Sequence, residues 1–138
     1  MNPQGILDTS TVILLPRLVD ASCLPEVPTI TAVTLAELSV GPLVARTDAE
    51  RAARQAHLQQ AEADFDPIPF DAAAARAFGQ VAADLRRAGH ETSARAYDAL
   101  IAAIAIARGL PVYTINSDDF AGIGQLELIA VPHPDRTP

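Results

Sequence analysis

The sequence predicts an α/β fold in which a short parallel β-sheet is sandwiched between helices. Two observations carry this. Brief apolar, β-branched runs alternate with longer helical ones, the pattern of parallel strands joined by helical crossovers. One helical run, "RAYDALIAAIAIA" (95–107), is apolar nearly all round and not along one stripe, as in a helix buried on every side. At 138 residues, 49% of them hydrophobic, the chain can close one core and reads as a single domain. With aromatics at only 4%, Ala, Leu, Ile and Val must build that core.

Residues 5–8, "GILD", read as a short strand ending on Asp8. "STVILLP" (10–16) follows as a brief helical or loop segment stopped by Pro16. "VPTIT" (27–31) is a second strand, and "TAVTLAELSVG" a helix that ends near Gly41 and Pro42. Residues 48–64 form a polar, Ala-rich helix with Asp48 as N-cap. "DPIPF" (66–70) is a third strand or an extended link, and the helix after it runs from an Asp71 cap to Gly89. The buried helix spans about Thr92 to Arg108 and stops at Gly109. "LPVYTIN" (110–116) and "LELIAVP" (126–132) are the last strands, and residues 132–138 read as a loose tail.

Composition narrows the function. There are 17 acidic and 10 basic residues, for a net charge of −7, so the chain does not attract polyanions by bulk charge. Every basic residue is Arg. The lack of lysine excludes Walker-type phosphate loops, Schiff-base enzymes and aspartate-nucleophile phosphatases. No apolar run reaches the roughly 18 residues of a membrane span, and no signal peptide is visible at the N-terminus. The single cysteine, Cys23, cannot form an intrachain disulfide, so a cytoplasmic location is expected.

The chemistry lies in the acids. Ligands of open parallel sheets bind outside the carboxyl ends of the strands. Asp8 closes the first strand, Glu37 lies early in the helix after the second, and Asn116, Asp118 and Asp119 follow "PVYTI". Asp98 is set into the start of the buried helix, where an unpaired charge is costly. Four segments thus bring carboxylates toward one sheet edge. Gathered like charges call for a cation between them, and oxygen ligands suit a hard one, Mg²⁺ or Mn²⁺. Carboxylate-held metal with open positions suits phosphoryl chemistry. Each acid also has a local reading. Asp8 can cap a turn, Thr34-x-x-Glu37 matches a capping box, Asp118 and Asp119 can cap "DDFAGI", and Asp98 can pair with Arg95.

Taken together, "ILDTS", "TLAELSVG", "YDALIAAIA" and "TINSDDF" resemble the PIN-domain ribonucleases, and most of all the VapC toxins of bacterial toxin–antitoxin pairs. Each motif is weak alone, but the four stand in the right order across residues 5–131. The resemblance implies a PIN-like three-layer sandwich and a Mg²⁺-dependent endoribonuclease, with Mn²⁺ as a substitute, that hydrolyses RNA phosphodiesters to 5′-phosphate and 3′-hydroxyl ends. It implies Asp8, Glu37 and Asp98 as the acidic triad, with Asp8 and Asp98 as direct metal ligands and Asp119 as the fourth acid, acting through water. Asn116 would orient substrate or a carboxylate. Ser10 would hydrogen-bond a metal ligand or phosphate, or cap the next turn, and Arg95, with Arg86, Arg87, Arg46, Arg51 and Arg54, offers phosphate contacts.

Implied partners are the RNA substrate, a cognate VapB-type antitoxin and a second copy in a homodimer. The dimer would also cover apolar surface such as "VILLP" (12–16). An acidic pocket should attract a cationic antitoxin arm. His57, His90 and His133 are scattered and read as surface histidines. Competing readings are a PIN-fold nuclease acting on DNA or in RNA processing outside a toxin–antitoxin pair, and an inactive PIN-fold binding module. The complete acidic triad argues against the last.

Overall fold

The computed structural model describes residues 3–18, 20–91 and 95–135. Its centre is a four-stranded, all-parallel sheet in the order β2-β1-β3-β4. The strands are β1 (Gln4–Leu7), β2 (Val27–Thr29), β3 (Val112–Thr114) and β4 (Leu128–Ala130). Among the described residues five α-helices pack around it: α1 (Thr9–Leu14), α2 (Ala32–Val40), α3 (Asp48–Asp64), α4 (Ala72–Arg87) and α5 (Ala96–Arg108). The expected α/β sandwich with a parallel sheet is therefore present.

The strands are shorter than the apolar runs that mark them, because the flanking residues turn away into loops and caps. "DPIPF" is a link, not a strand: Ile68 makes one parallel bridge to Thr31, through Ile68 N to the Ile30 carbonyl at 3.0 Å and Ala32 N to the Ile68 carbonyl at 2.8 Å. The cap of α3 is Thr47, whose hydroxyl accepts from Glu50 N at 3.0 Å. Asp48 lies inside the first turn and pairs with Arg51. The expected start of the buried helix, residues 92–94, lies outside the described residues, and α5 is described from Ala96. Residues 132–135 are tied down by the Arg17–Asp135 ion pair and by Asp135 N donating to His133 Nδ1 at 3.1 Å. Residues 136–138 of the expected tail also lie outside the described range.

Helix α5 is the core element. Ala99 and Ile101–Ala105 are at most 1% exposed, so successive residues on all sides of the helix are covered. One face meets α4 through Ala74, Val81 and Leu85, and the core continues to Ile6 and Val112 on the central strands. Each fully buried Ile or Leu here contributes about 1.5–3 kcal/mol. Gly109 ends the helix with φ +65°, a left-handed cap that glycine adopts without strain. At Gly5 the need is space: a Cβ there would lie 2.5 Å from the Tyr113 ring and 2.9 Å from Pro25.

A second, smaller core of Leu7, Val12, Ile30, Leu38 and Ala61 fills the other side of the sheet. It absorbs Val12 and packs against Leu15, whereas Ile13 of "VILLP" stays 38% exposed, so that segment is only partly the exposed apolar surface. Val40, Leu43 and Val44, at 47%, 84% and 61% exposure, add a larger exposed apolar patch around the 3₁₀ turn that follows α2. Among the described residues no helix is long and apolar enough to cross a membrane.

Candidate active site

Asp8 sits where β1 hands over to α1. Its extended backbone (φ −75°, ψ 170°) makes it the N-cap, and its carboxylate accepts from Thr11 N at 3.3 Å. The capping reading and the site reading both apply to it. The same oxygen accepts a short hydrogen bond from Thr11 Oγ1, and the other accepts from Thr114 Oγ1 at 2.8 Å. Each hydroxyl is itself held: Ile115 N donates to Thr11 Oγ1 at 3.1 Å, and Asn116 N to Thr114 Oγ1 at 2.9 Å. Thr11 and Thr114 are fully buried, and Asp8 is 2% exposed. This network locks the end of β1 to the end of β3. Burial nevertheless wins over the three hydrogen bonds and raises the Asp8 pKa, with the charge of Asp119 adding to it.

Glu37 comes from the second turn of α2. The true cap of that helix is Thr31, whose side chain accepts from Thr34 N at 3.2 Å, so the capping-box reading of Thr34 and Glu37 does not hold. Glu37 Oε1 accepts from Thr9 Oγ1 at 2.7 Å. Thr9 Oγ1 also lies 3.0 Å from Thr34 Oγ1; because its one proton goes to Glu37, Thr34 is the donor in that contact. Burial, then the Asp8 charge, raises the Glu37 pKa against the Thr9 bond.

Asp98 lies half-buried in the first turn of α5. Desolvation, then the charges of Asp119, Asp8 and Glu37, push its pKa up to about 7, and Arg95 opposes them weakly. The expected alternative, an Asp98–Arg95 ion pair, is not formed: Arg95 Nη1 donates to the Asp118 carbonyl at 2.6 Å. Asp119 is half-buried in the 3₁₀ turn Ser117–Phe120. Neither Asp118 nor Asp119 caps this turn; its N-cap is Asn116, which makes no side-chain cap bond, and Asp119 N donates to the Asn116 carbonyl at 3.0 Å.

The four predicted acids thus stand close enough for their charges to act on one another. Among the described residues none of them is in an ion pair. No three of these or other Asp, Glu, His or Cys side chains stand in a ready metal-binding arrangement, again among the described residues. The donor set itself fits a hard divalent cation: oxygen only, negatively charged, and mutually destabilised in the absence of a positive partner. Ser10 makes no hydrogen bond to Asp8; Thr9 and Thr11 beside it take up the acids. Of the candidate phosphate contacts, Arg51, Arg54 and Arg87 are paired with Asp48, Glu50 and Asp84. Among the described residues, Arg95 is the arginine placed to act on Asp98.

Sequence reasoning missed the positioning roles of Thr9, Thr11 and Thr34, and the run "DTST" was the one local signal for two of them. It also placed His57 on open surface. His57 instead lines a cleft with Glu37, Leu38 and Arg54.

The PIN domain model matches residues 6–125, and the chain belongs to the PIN-domain family. Within that family its similarity runs to the VapC proteins. Ribonuclease VapC5 of Mycobacterium tuberculosis is 41% identical over 132 residues, 92% of this chain and 95% of the relative. Ribonuclease VapC4 of the same organism is 32% identical over 102 residues, 74% of this chain and 75% of the relative. The crystal structure of VapBC-5 from M. tuberculosis, a member of the VapBC family of toxin–antitoxin systems, matches with a TM-score of 0.80 at 37% identity. That match covers 94% of this chain and 100% of the solved one.

Proposed function

We propose that this chain is a VapC-type endoribonuclease toxin, dependent on Mg²⁺ or Mn²⁺ and silenced by a cognate VapB-type antitoxin. The observation that carries it is the cluster of Asp8, Glu37, Asp98 and Asp119, drawn from four segments onto one sheet edge with no cationic ion-pair partner among the described residues. VapC ribonuclease relatives and a VapBC structure over nearly the whole chain support the same reading.

Asp8 and Asp98 would hold the ion. When bound, it supplies Lewis acidity that activates water and offsets charge on the scissile phosphate. The remaining work falls to the chain. Thr11 and Thr114 fix the Asp8 carboxylate, so its remaining lone pairs keep one direction. Thr9 fixes Glu37. Asp119 holds water, and Asn116 and Ser10 face the substrate. Arg95, anchored on the Asp118 carbonyl, meets a phosphate oxygen and tempers the acidic field. The acids that repel RNA in the free protein attract a cationic arm of the antitoxin. The exposed Val40, Leu43 and Val44 offer apolar surface for a homodimer.

Incubation of the purified chain with end-labelled RNA and DNA tests the proposal. RNA cleavage to 5′-phosphate and 3′-hydroxyl ends with Mg²⁺ or Mn²⁺, stopped by chelator and by purified antitoxin, is the expected result. Undiminished cleavage in excess chelator, or DNA cut as fast as RNA, would overturn it.

A further inference from the structure

Beside Glu37, between α1, α2 and α3, opens a cleft of about 260 Å³. Ile13 and Leu38 give it apolar walls, while His57 and Arg54 enter from α3. We propose that this cleft is a nucleobase subsite: it seats one unstacked base next to the scissile phosphodiester, with the base stacked on His57. The inference rests on the ribonuclease reading and names a specificity determinant for it.

Continuity with the site comes first. Glu37 belongs to both the acid cluster and the cleft, so a strand whose phosphate lies at the acids has the cleft within reach of a neighbouring nucleotide. Charge then selects the base over its phosphate. Arg54 is already spent: Nη1 donates to the Gly41 carbonyl at 3.0 Å and Nη2 pairs with Glu50 at 2.5 Å. A phosphate in the cleft would face the Glu37 carboxylate with little positive charge to offset it, whereas a neutral base meets no such penalty.

The volume matches a small occupant. Pockets for drug-sized ligands run to roughly 300–1,000 Å³, so 260 Å³ suits a single planar group better than a folded peptide segment. His57 is the residue left free to act. It is half-buried, makes no hydrogen bond or ion pair among the described residues, and also borders a smaller pocket with Val12, Ala61 and Phe65. Single-stranded RNA is read by splaying bases onto aromatic or histidine rings, and its bases carry donor edges that the Glu37 carboxylate can meet.

The test is a mutant cycle between enzyme and substrate. A short single-stranded oligoribonucleotide that the parent cleaves is compared with versions abasic at each position flanking the cut. The enzymes are the parent, His57→Ala, His57→Phe and His57→Gln. One abasic position should lower kcat/KM of the parent roughly 5- to 150-fold. His57→Ala should lose a similar factor on the intact strand and nothing further on that abasic one. His57→Phe should restore cleavage and His57→Gln should not, which separates stacking from hydrogen bonding and from folding. Full activity of His57→Ala, additive losses at every abasic position, or an effect confined to antitoxin binding would overturn the subsite. A parent that cleaves no RNA at all would instead overturn the proposed function.

Discussion

The acids of α3 and α4 and the acids at the sheet edge are the same residue types under opposite treatment. On α3, Asp48 and Glu50 each find an arginine three or four residues on, at 2.9 and 2.5 Å. On α4, Asp84 accepts from Gly124 N at 3.0 Å and Gln80 at 2.9 Å, and its pKa falls below the usual range. At the sheet edge, Asp8 and Glu37 receive threonine hydroxyls instead, no arginine pairs with any of the four acids among the described residues, and Asp8, Glu37 and Asp98 are raised. A surface acid is satisfied by charged or amide donors on its own helix or on a neighbouring loop. A site acid is oriented by neutral donors and left electrically unsatisfied, so that stability is given up for a field that a cation relieves.

The largest test of that contrast is Asp98→Asn, which keeps the shape of the α5 packing and deletes one charge. Cleavage should fall by more than the roughly 10–100-fold that loss of an outer-shell metal partner costs. Stability should move the other way. The folded pKa of Asp98 is about 7 against an ordinary value of 3.8, so the protein binds more protons folded than unfolded between those values. Ionising Asp98 therefore costs stability progressively as pH rises through that window, and in full above about pH 7. Asp8 and Glu37 act in the same direction. The metal-free parent should melt lower at pH 8 than at pH 5, and Asp98→Asn should narrow the gap and melt no lower than the parent at pH 8. Mg²⁺ at a hundredfold excess over its Kd should add about 2.7 kcal/mol to the parent and less to the mutant. A mutant that melts far below the parent without metal would mean that Asp98 is a structural partner after all.

Thr114→Val sharpens the comparison from the donor side. It removes a 2.8 Å bond to Asp8 and the acceptor for Asn116 N while keeping the volume. Cleavage should drop about 10–100-fold, with a stability loss of about 1–3 kcal/mol for the stranded partners. Thr114→Ser should recover most of the activity. If Val cleaves like the parent, the orientation of Asp8 does not depend on this hydroxyl. The smallest effect is expected at the surface: Asp48→Asn breaks an exposed ion pair and should leave both melting temperature and cleavage rate unchanged within error.

Much of the site was legible because its parts obey local rules. Asp8 follows a strand, Glu37 lies early in the helix after another, and Asp98 interrupts an apolar helix; each is a statement about a few neighbouring residues. The partners of these acids are not local. Thr9 reaches Glu37 across 28 positions and Thr114 reaches Asp8 across 106. Ser10 was the hydroxyl singled out near Asp8, yet Thr9 and Thr11 serve the acids. The fold begins α1 at Thr9 and turns those two threonines onto its neighbours. Glu37 looked like half of a capping box because Thr34 stands three residues before it, but the helix starts earlier, on Thr31.

By itself the sequence determined the kind of fold, the order of its elements, the burial of α5 and which acids are candidates. Periodicity, caps and composition act over a turn or two, within reach of spacing along the chain. Only the tertiary structure decided which threonine holds which carboxylate, that Arg95 takes the Asp118 carbonyl and leaves Asp98 unpaired, and that His57 lies in a cleft beside Glu37. Those outcomes depend on how a parallel sheet brings the ends of β1 and β3 side by side and on where α3 crosses α2. Desolvation and mutual repulsion, which raise Asp98 to about 7, exist only once that packing has gathered the charges.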